Sequence, residues 1–175
     1  MTHPTQMAAA RQGTLTPQMQ QVLSDERISE TDLLTRVADG RIAIPANRNH
    51  RGLRARGVGA GLTTKINVNL GVSEDCCNVE RELDKVRRAI ELKADAIMDL
   101  STFGDTRAFR RRAVDISPVM LGTVPIYDAV ARYGKDVAAI SVDDFFPAVR
   151  MHAEAGIDFM TLHAGLTPTA VQRLR

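Results

Sequence analysis

After residue 64 the chain repeats one pattern, a short strand-like run followed by an amphipathic helical run, and no other feature restricts its fold as tightly. Residues 65–70 alternate polar and apolar side chains (Lys-Ile-Asn-Val-Asn-Leu) and Gly71 closes the run. In residues 78–92, Val79, Leu83, Val86 and Ile90 recur at helical spacing and form one apolar face. Glu80, Glu82, Asp84, Arg87 and Arg88 fall elsewhere around it. A second strand is expected at 96–101 and a second helix at 105–116, with Arg107, Arg110, Arg111 and Arg112 as a solvated face. A third strand is expected at 119–126, ending at Tyr127, with a short helix at 128–133. Ser141 and Asp144 cap a further helix whose Val142, Phe145, Val149 and Ala153 face inward, with His152 as a packing or surface residue. A fourth strand is expected at 158–163, and Thr167-Pro168 starts a last helix. This alternation predicts an α/β fold with a parallel sheet and right-handed crossovers. An open doubly wound sheet and part of a (β/α)8 barrel both fit. No Gly-x-Gly-x-x-Gly follows a strand, so the main signature of a dinucleotide fold is missing.

The first part of the chain reads differently. Residues 1–40 are helical, polar and irregular. Thr16-Pro17 is a helix start, Ser29 with Asp32 resembles a capping box, and Gly40 ends that helix. We expect this segment to form a helical N-terminal arm on the main body, residues 41–175. A strand at 41–47 is confined to an edge or end by Pro45, and residues 48–62 read as a loop. Aromatic residues are only 4% of the chain, so its core must rest on aliphatic side chains and Met. A net charge of +2 gives no reason to expect nucleic acid or a membrane surface as partner. No apolar run approaches the roughly 18 residues of a spanning helix, and no basic-then-apolar leader opens the sequence. A cytoplasmic location is expected. Cys76 and Cys77 are adjacent, which suits neither a disulfide framework nor a metal site, and they read as two reduced thiols.

The strand ends carry the chemistry. The first unit offers Asn67 and Asn69, the second Met98, Asp99, Ser101 and Thr102, the third Thr123 and Tyr127, the fourth Thr161 and His163. Parallel strands place these ends on one face of a sheet. An amide, a thioether, a carboxylate, a phenol and an imidazole can hydrogen-bond a sugar and an azole ring, with Met as an adaptable apolar wall.

At these residues the sequence resembles the phosphomethylpyrimidine synthase family of radical S-adenosylmethionine enzymes. The matching segments are Thr5-Gln-Met7, Gly40-Arg-Ile-Ala-Ile-Pro-Ala-Asn47, Thr64-Lys-Ile-Asn-Val-Asn-Leu-Gly71, Asp95-Ala-Ile-Met-Asp-Leu-Ser-Thr102, Ser117-Pro118, Gly122-Thr-Val-Pro-Ile-Tyr127 and Phe159-Met-Thr-Leu-His-Ala-Gly165. They run in order through nearly the whole chain. The resemblance implies a (β/α)8 barrel, of which this chain is a partial, N-terminal half with about four βα units after the helical arm. It implies aminoimidazole ribotide as ligand, with Asn69, Met98, Tyr127 and His163 at the binding positions. The implied reaction is a carbon–carbon lyase rearrangement of the ribotide to hydroxymethylpyrimidine phosphate in thiamine biosynthesis.

For the full-length family the resemblance implies a 4Fe-4S cluster, S-adenosyl-L-methionine, a zinc-type metal and a homodimer. This chain departs from that pattern. It has no C-x-x-C-x-x-x-x-C and none of the later metal histidines, so no cofactor or metal ligand is expected within it. Half a barrel leaves edge strands unpaired, and the chain alone is expected to be inactive toward S-adenosylmethionine. Two other readings stay open: a relative that makes 5-hydroxybenzimidazole for anaerobic cobalamin synthesis, and an inactive remnant that only binds the ribotide.

Overall fold

The computed structural model describes residues 5–134, 136–164 and 167–173. Residues 1–4 and 174–175 of the two expected segments, and Gly165 of the last matching motif, lie outside the described residues.

Three short helices open the chain, α1 (Gln6–Arg11), α2 (Pro17–Asp25) and α3 (Glu30–Ala38). Each begins where a hydroxyl can take an orphan backbone N–H: Thr5 accepts from Ala8, Thr16 from Met19 and Ser29 from Asp32. Gly40, at φ +74°, ends α3 while Arg41 N–H donates back to Arg36 O. Ala9, Met19, Val22, Leu33 and Val37 form one core with Ile42, Ile44 and Ala55.

The strand expected at 41–47 shrinks to β1 (Ile42–Ala43), because Pro45 has no N–H to extend a ladder. Its antiparallel partner is β2 (Val58–Gly59), a strand inside the segment expected to be loop.

The main sheet has four strands, β3 (Asn67–Leu70), β4 (Ala96–Asp99), β5 (Met120–Thr123) and β6 (Phe159–Met160). They are parallel and stand side by side in sequence order. Between them run α4 (Val79–Glu91), α5 (Thr106–Ile116), α6 (Pro125–Tyr133) and α7 (Val142–Glu154), and α8 (Pro168–Arg173) follows β6. The predicted α/β class is therefore present. Alternation along each strand sends Leu70, Ile97 and Leu121 to one face, where they pack on Leu83, Val86 and Ala89 of α4 and Phe109, Ala113 and Val114 of α5. Apolar surface buried in this layer stabilises the sheet by roughly 25 cal/mol per Å².

Several boundaries differ from the sequence expectation for local reasons. The third strand stops at Thr123, not at residue 126, because Pro125 occupies the first helical position of α6, where its fixed φ is already suited. Tyr127 therefore stands in the first turn of a helix, not at a strand end. The fourth strand is only Phe159–Met160, which pairs with Gly122 and Thr123 of β5. On α7 the buried residues are Ala148 and His152, whereas Val142 is exposed. Glu82, expected on the polar side of α4, is fully buried and accepts the Gly71 N–H at 3.0 Å.

Candidate functional site

Two of the expected ligand residues meet on the sheet. Asn69 and Met98 are register partners across β3 and β4, and Gly122 continues the row on β5, with Phe159 beyond it on β6. Because side chains alternate, this row lies on the face opposite the helices. Asn69 is exposed and Met98 half-buried. Asn69 Oδ1 accepts from Asn67 Nδ2 at 2.8 Å, which fixes the amide's orientation. Gly122 has no room for a side chain, since a Cβ there would lie 2.3 Å from the Phe159 ring.

The other two meet in a cleft beyond the carboxyl ends of β4, β5 and β6. Thr102, Ile126, Tyr127, Val130, Ala131, Val137 and His163 line about 550 Å³ there, and most of this lining is apolar. Among the described residues, Asn69 and Met98 are not part of that lining. The structure thus brings together Asn69 with Met98 and Tyr127 with His163, with Thr102 linking the end of β4 to the cleft.

The polar end of β4 divides by face. Asp99, first read as part of a site wall, turns the other way. Its Oδ1 accepts the Ser101 N–H at 2.9 Å and its Oδ2 accepts Arg110 Nε at 3.1 Å. Ser101 Oγ accepts the Val72 N–H at 2.9 Å. Both residues are buried, so of this group only Thr102 reaches the cleft.

Arg110 is the largest departure from the sequence reading. It was expected on a solvated face and is 2% exposed. Its Nη2 donates to Asp128 Oδ2 at 2.6 Å, and His152 Nε2 donates to the same oxygen at 2.6 Å. Thr106 Oγ1 donates to Asp128 Oδ1 at 2.9 Å, and Thr123 Oγ1 lies 2.7 Å from His152 Nδ1. Burial pushes the Asp128 carboxyl up, but the His152 hydrogen bond and the Arg110 charge outweigh it and hold the group below the usual carboxylate range. Apolar periodicity alone does not find this network. The available signal was that Asp99 ends a buried strand and requires a cation, and that Arg110 sits beside Phe109 on the inward stripe of α5.

A second buried pair ties the stretch between β1 and β2 to the sheet. His50 Nδ1 donates to Asp158 Oδ2 at 2.8 Å and Nε2 donates to the Ser117 carbonyl at 2.7 Å. Asp158 also accepts the Asn47 and Leu121 N–H groups, each at 2.8 Å. Burial pushes His50 down, yet the Asp158 hydrogen bond and charge, with the Ser117 carbonyl, raise it above the ordinary histidine value.

The cluster and metal implied by the resemblance do not fit the residues present. Cys76 and Cys77 are adjacent free thiols, one half-buried and one exposed. Among the described residues no group of three or more His, Cys, Asp and Glu side chains could hold a metal ion. No described helix is long and apolar enough to cross a membrane.

Sequential parallel strands, crossover helices on one face and polar groups at the carboxyl ends define the chain as an α/β protein of βα-repeat build, with its candidate site where such folds bind ligands. Comparison with known proteins is more specific. The chain belongs to the radical SAM ThiC family, whose model matches residues 5–175. It is 53% identical over 175 residues to phosphomethylpyrimidine synthase of Pelotomaculum thermopropionicum, covering 100% of this chain and 40% of that protein. The Clostridium tetani phosphomethylpyrimidine synthase is 52% identical over 172 residues, covering 98% and 38%. The Alkaliphilus metalliredigens phosphomethylpyrimidine synthase is 55% identical over 166 residues, covering 95% and 38%. The chain thus spans about two fifths of the length of these relatives.

Proposed function

We propose that this chain supplies the ribotide-binding wall of a phosphomethylpyrimidine synthase, the N-terminal half of a (β/α)8 barrel preceded by a helical arm. The observation that carries this reading is the placement of the four ligand positions: Asn69 beside Met98 on adjacent strands, and Tyr127 with His163 in the cleft at the strand ends. Consecutive strand order supports the barrel, since a doubly wound sheet reverses its order at a switch point. In this reading Asn69 hydrogen-bonds the polar part of aminoimidazole ribotide and Met98 packs on its ring. Tyr127 and His163 bring a phenol and an imidazole to the other side. The reaction is the rearrangement of the ribotide to hydroxymethylpyrimidine phosphate in thiamine biosynthesis. The cluster, S-adenosylmethionine and a zinc-type metal belong to regions this chain does not contain, so the chain by itself binds the ribotide without cleaving S-adenosylmethionine. The full-length enzyme is a cytoplasmic homodimer in this reading.

Two experiments test it. Calorimetric titration of the chain with aminoimidazole ribotide should show saturable binding, and its absence from folded protein would count against the wall. A full-length protein carrying this chain, with a reconstituted cluster, should convert the ribotide to a product with the mass of hydroxymethylpyrimidine phosphate. A product with the mass of 5-hydroxybenzimidazole would place it with the cobalamin relative instead. Ribotide binding with no turnover at full length would identify a binding remnant.

A further inference from the structure

We propose that Arg110, Asp128 and His152 form a buried brace that sets the position of Tyr127 relative to Met98, making Arg110 and His152 positioning residues for the ribotide site. The inference rests on the binding wall proposed above, and it concerns residues that contact no ligand in that reading.

The geometry runs through two pairs of neighbours. Met98 and Asp99 are consecutive on β4, so Met98 takes the open face and Asp99 the helix face. Tyr127 and Asp128 are consecutive on α6. Successive helical residues point about 100° apart, so Asp128 is buried while Tyr127 lines the cleft. Arg110 spans the two acids, donating through Nε to Asp99 and through Nη2 to Asp128. One guanidinium therefore links the residue behind Met98 to the residue behind Tyr127.

The first turn of α6 is packed through buried Pro125 and Asp128, with Ala129 buried just after them. Its N-cap, Val124, offers no side-chain cap. The Asp128 carboxylate instead ties this turn to its neighbours, accepting from Thr106 and Arg110 of α5 and from His152 of α7. Charge-assisted hydrogen bonds of this kind are short and directional, so the turn cannot rotate or slide without breaking them. His152 in turn lies 2.7 Å from Thr123, the last residue of β5. The brace thus ties α5, α6 and α7 to the ends of β4 and β5. Buried ionic groups add little stability over well-packed apolar ones, and in some proteins they serve to specify one geometry. A network placed directly behind two proposed ligand residues is suited to that purpose.

The test uses the chain labelled with 3-fluorotyrosine in a Tyr133→Phe background, which leaves Tyr127 as the one fluorinated ring. Fluorine NMR reads the surroundings of Tyr127 without ligand, and titration with aminoimidazole ribotide reads binding. His152→Leu should move and broaden the Tyr127 resonance and weaken binding about tenfold or more, the scale of one hydrogen bond to a charged group. His152→Gln keeps a donor toward Asp128 and should restore the resonance and bring affinity to within about threefold. Arg110→Lys, which keeps the charge but cannot span both acids, should shift the resonance as His152→Leu does. If His152→Leu does not fold, the Gln and Lys variants carry the comparison. An unchanged Tyr127 resonance in folded His152→Leu or Arg110→Lys overturns the brace. Loss of affinity to the same extent in the Gln and Leu variants also overturns it. If the unsubstituted chain does not bind the ribotide, the binding-wall reading fails, and the ligand-free fluorine spectra still decide whether the brace sets Tyr127.

Discussion

Arg110 and Asp128 are joined by a 2.6 Å hydrogen bond between two buried side chains, and the same guanidinium reaches Asp99 at 3.1 Å. Arg110→Leu leaves two buried carboxyl groups without their cation. We expect it to cost about 3–5 kcal/mol, the range for removing one partner of a buried ion pair. Urea denaturation measures this, and adding Asp99→Asn to Arg110→Leu should recover part of the loss.

Stability should depend on pH through His50. Its value is raised on folding, so its contribution is complete below the unfolded value of 6.5 and is lost as pH rises through the higher folded value. The urea midpoint should fall as pH climbs above 6.5 in the unsubstituted chain, and this slope should flatten in His50→Gln.

Asp128 gives the opposite sign at acid pH. Its value is lowered on folding, so its contribution is present above the unfolded value of 3.8 and disappears as pH falls through the folded value. Asp128→Asn should remove this part of the acid transition in a pH series of denaturation curves.

Gly122→Ala would place a Cβ 2.3–2.4 Å from the Phe159 ring. The ring must move or β6 must shift, and overpacking of this kind costs about 1–3 kcal/mol. Thermal denaturation should show the loss, and Phe159→Leu in the same chain should relieve part of it.

Tyr127→Ala and His163→Ala should each weaken aminoimidazole ribotide binding by about 1–3 kcal/mol if each makes a buried polar contact with it. Isothermal titration of the two variants checks this, and unchanged affinity in both would remove them from the wall.

Much of the fold was legible because its signals are local. Val79, Leu83, Val86 and Ile90 mark α4, and all four pack on the core. Thr5, Thr16 and Ser29 cap the helices that follow them, and Ser141 with Asp144 forms a full capping box. Strand limits were less legible. Pro125 reads equally well as the end of a strand and as the start of a helix, and its neighbours in space decide between them. The site divides the same way. Asn69, Met98, Tyr127 and His163 stood out by residue type and by resemblance, whereas Arg110 looked like one more arginine in a basic helix. Its burial depends on Asp99, Asp128 and His152, which come from three other elements.

Residue order alone therefore established the βα alternation, the caps and the family, since each depends on side chains a few positions apart or on motifs in register. Chain folding settled which face each polar group takes. Asp99 turns to the helices while Met98 stays on the open face, and Tyr127 reaches the cleft while Asp128 is buried. The physical reason is that a buried charge must find partners wherever the chain brings them, and the partners here lie 11 to 29 residues apart in sequence.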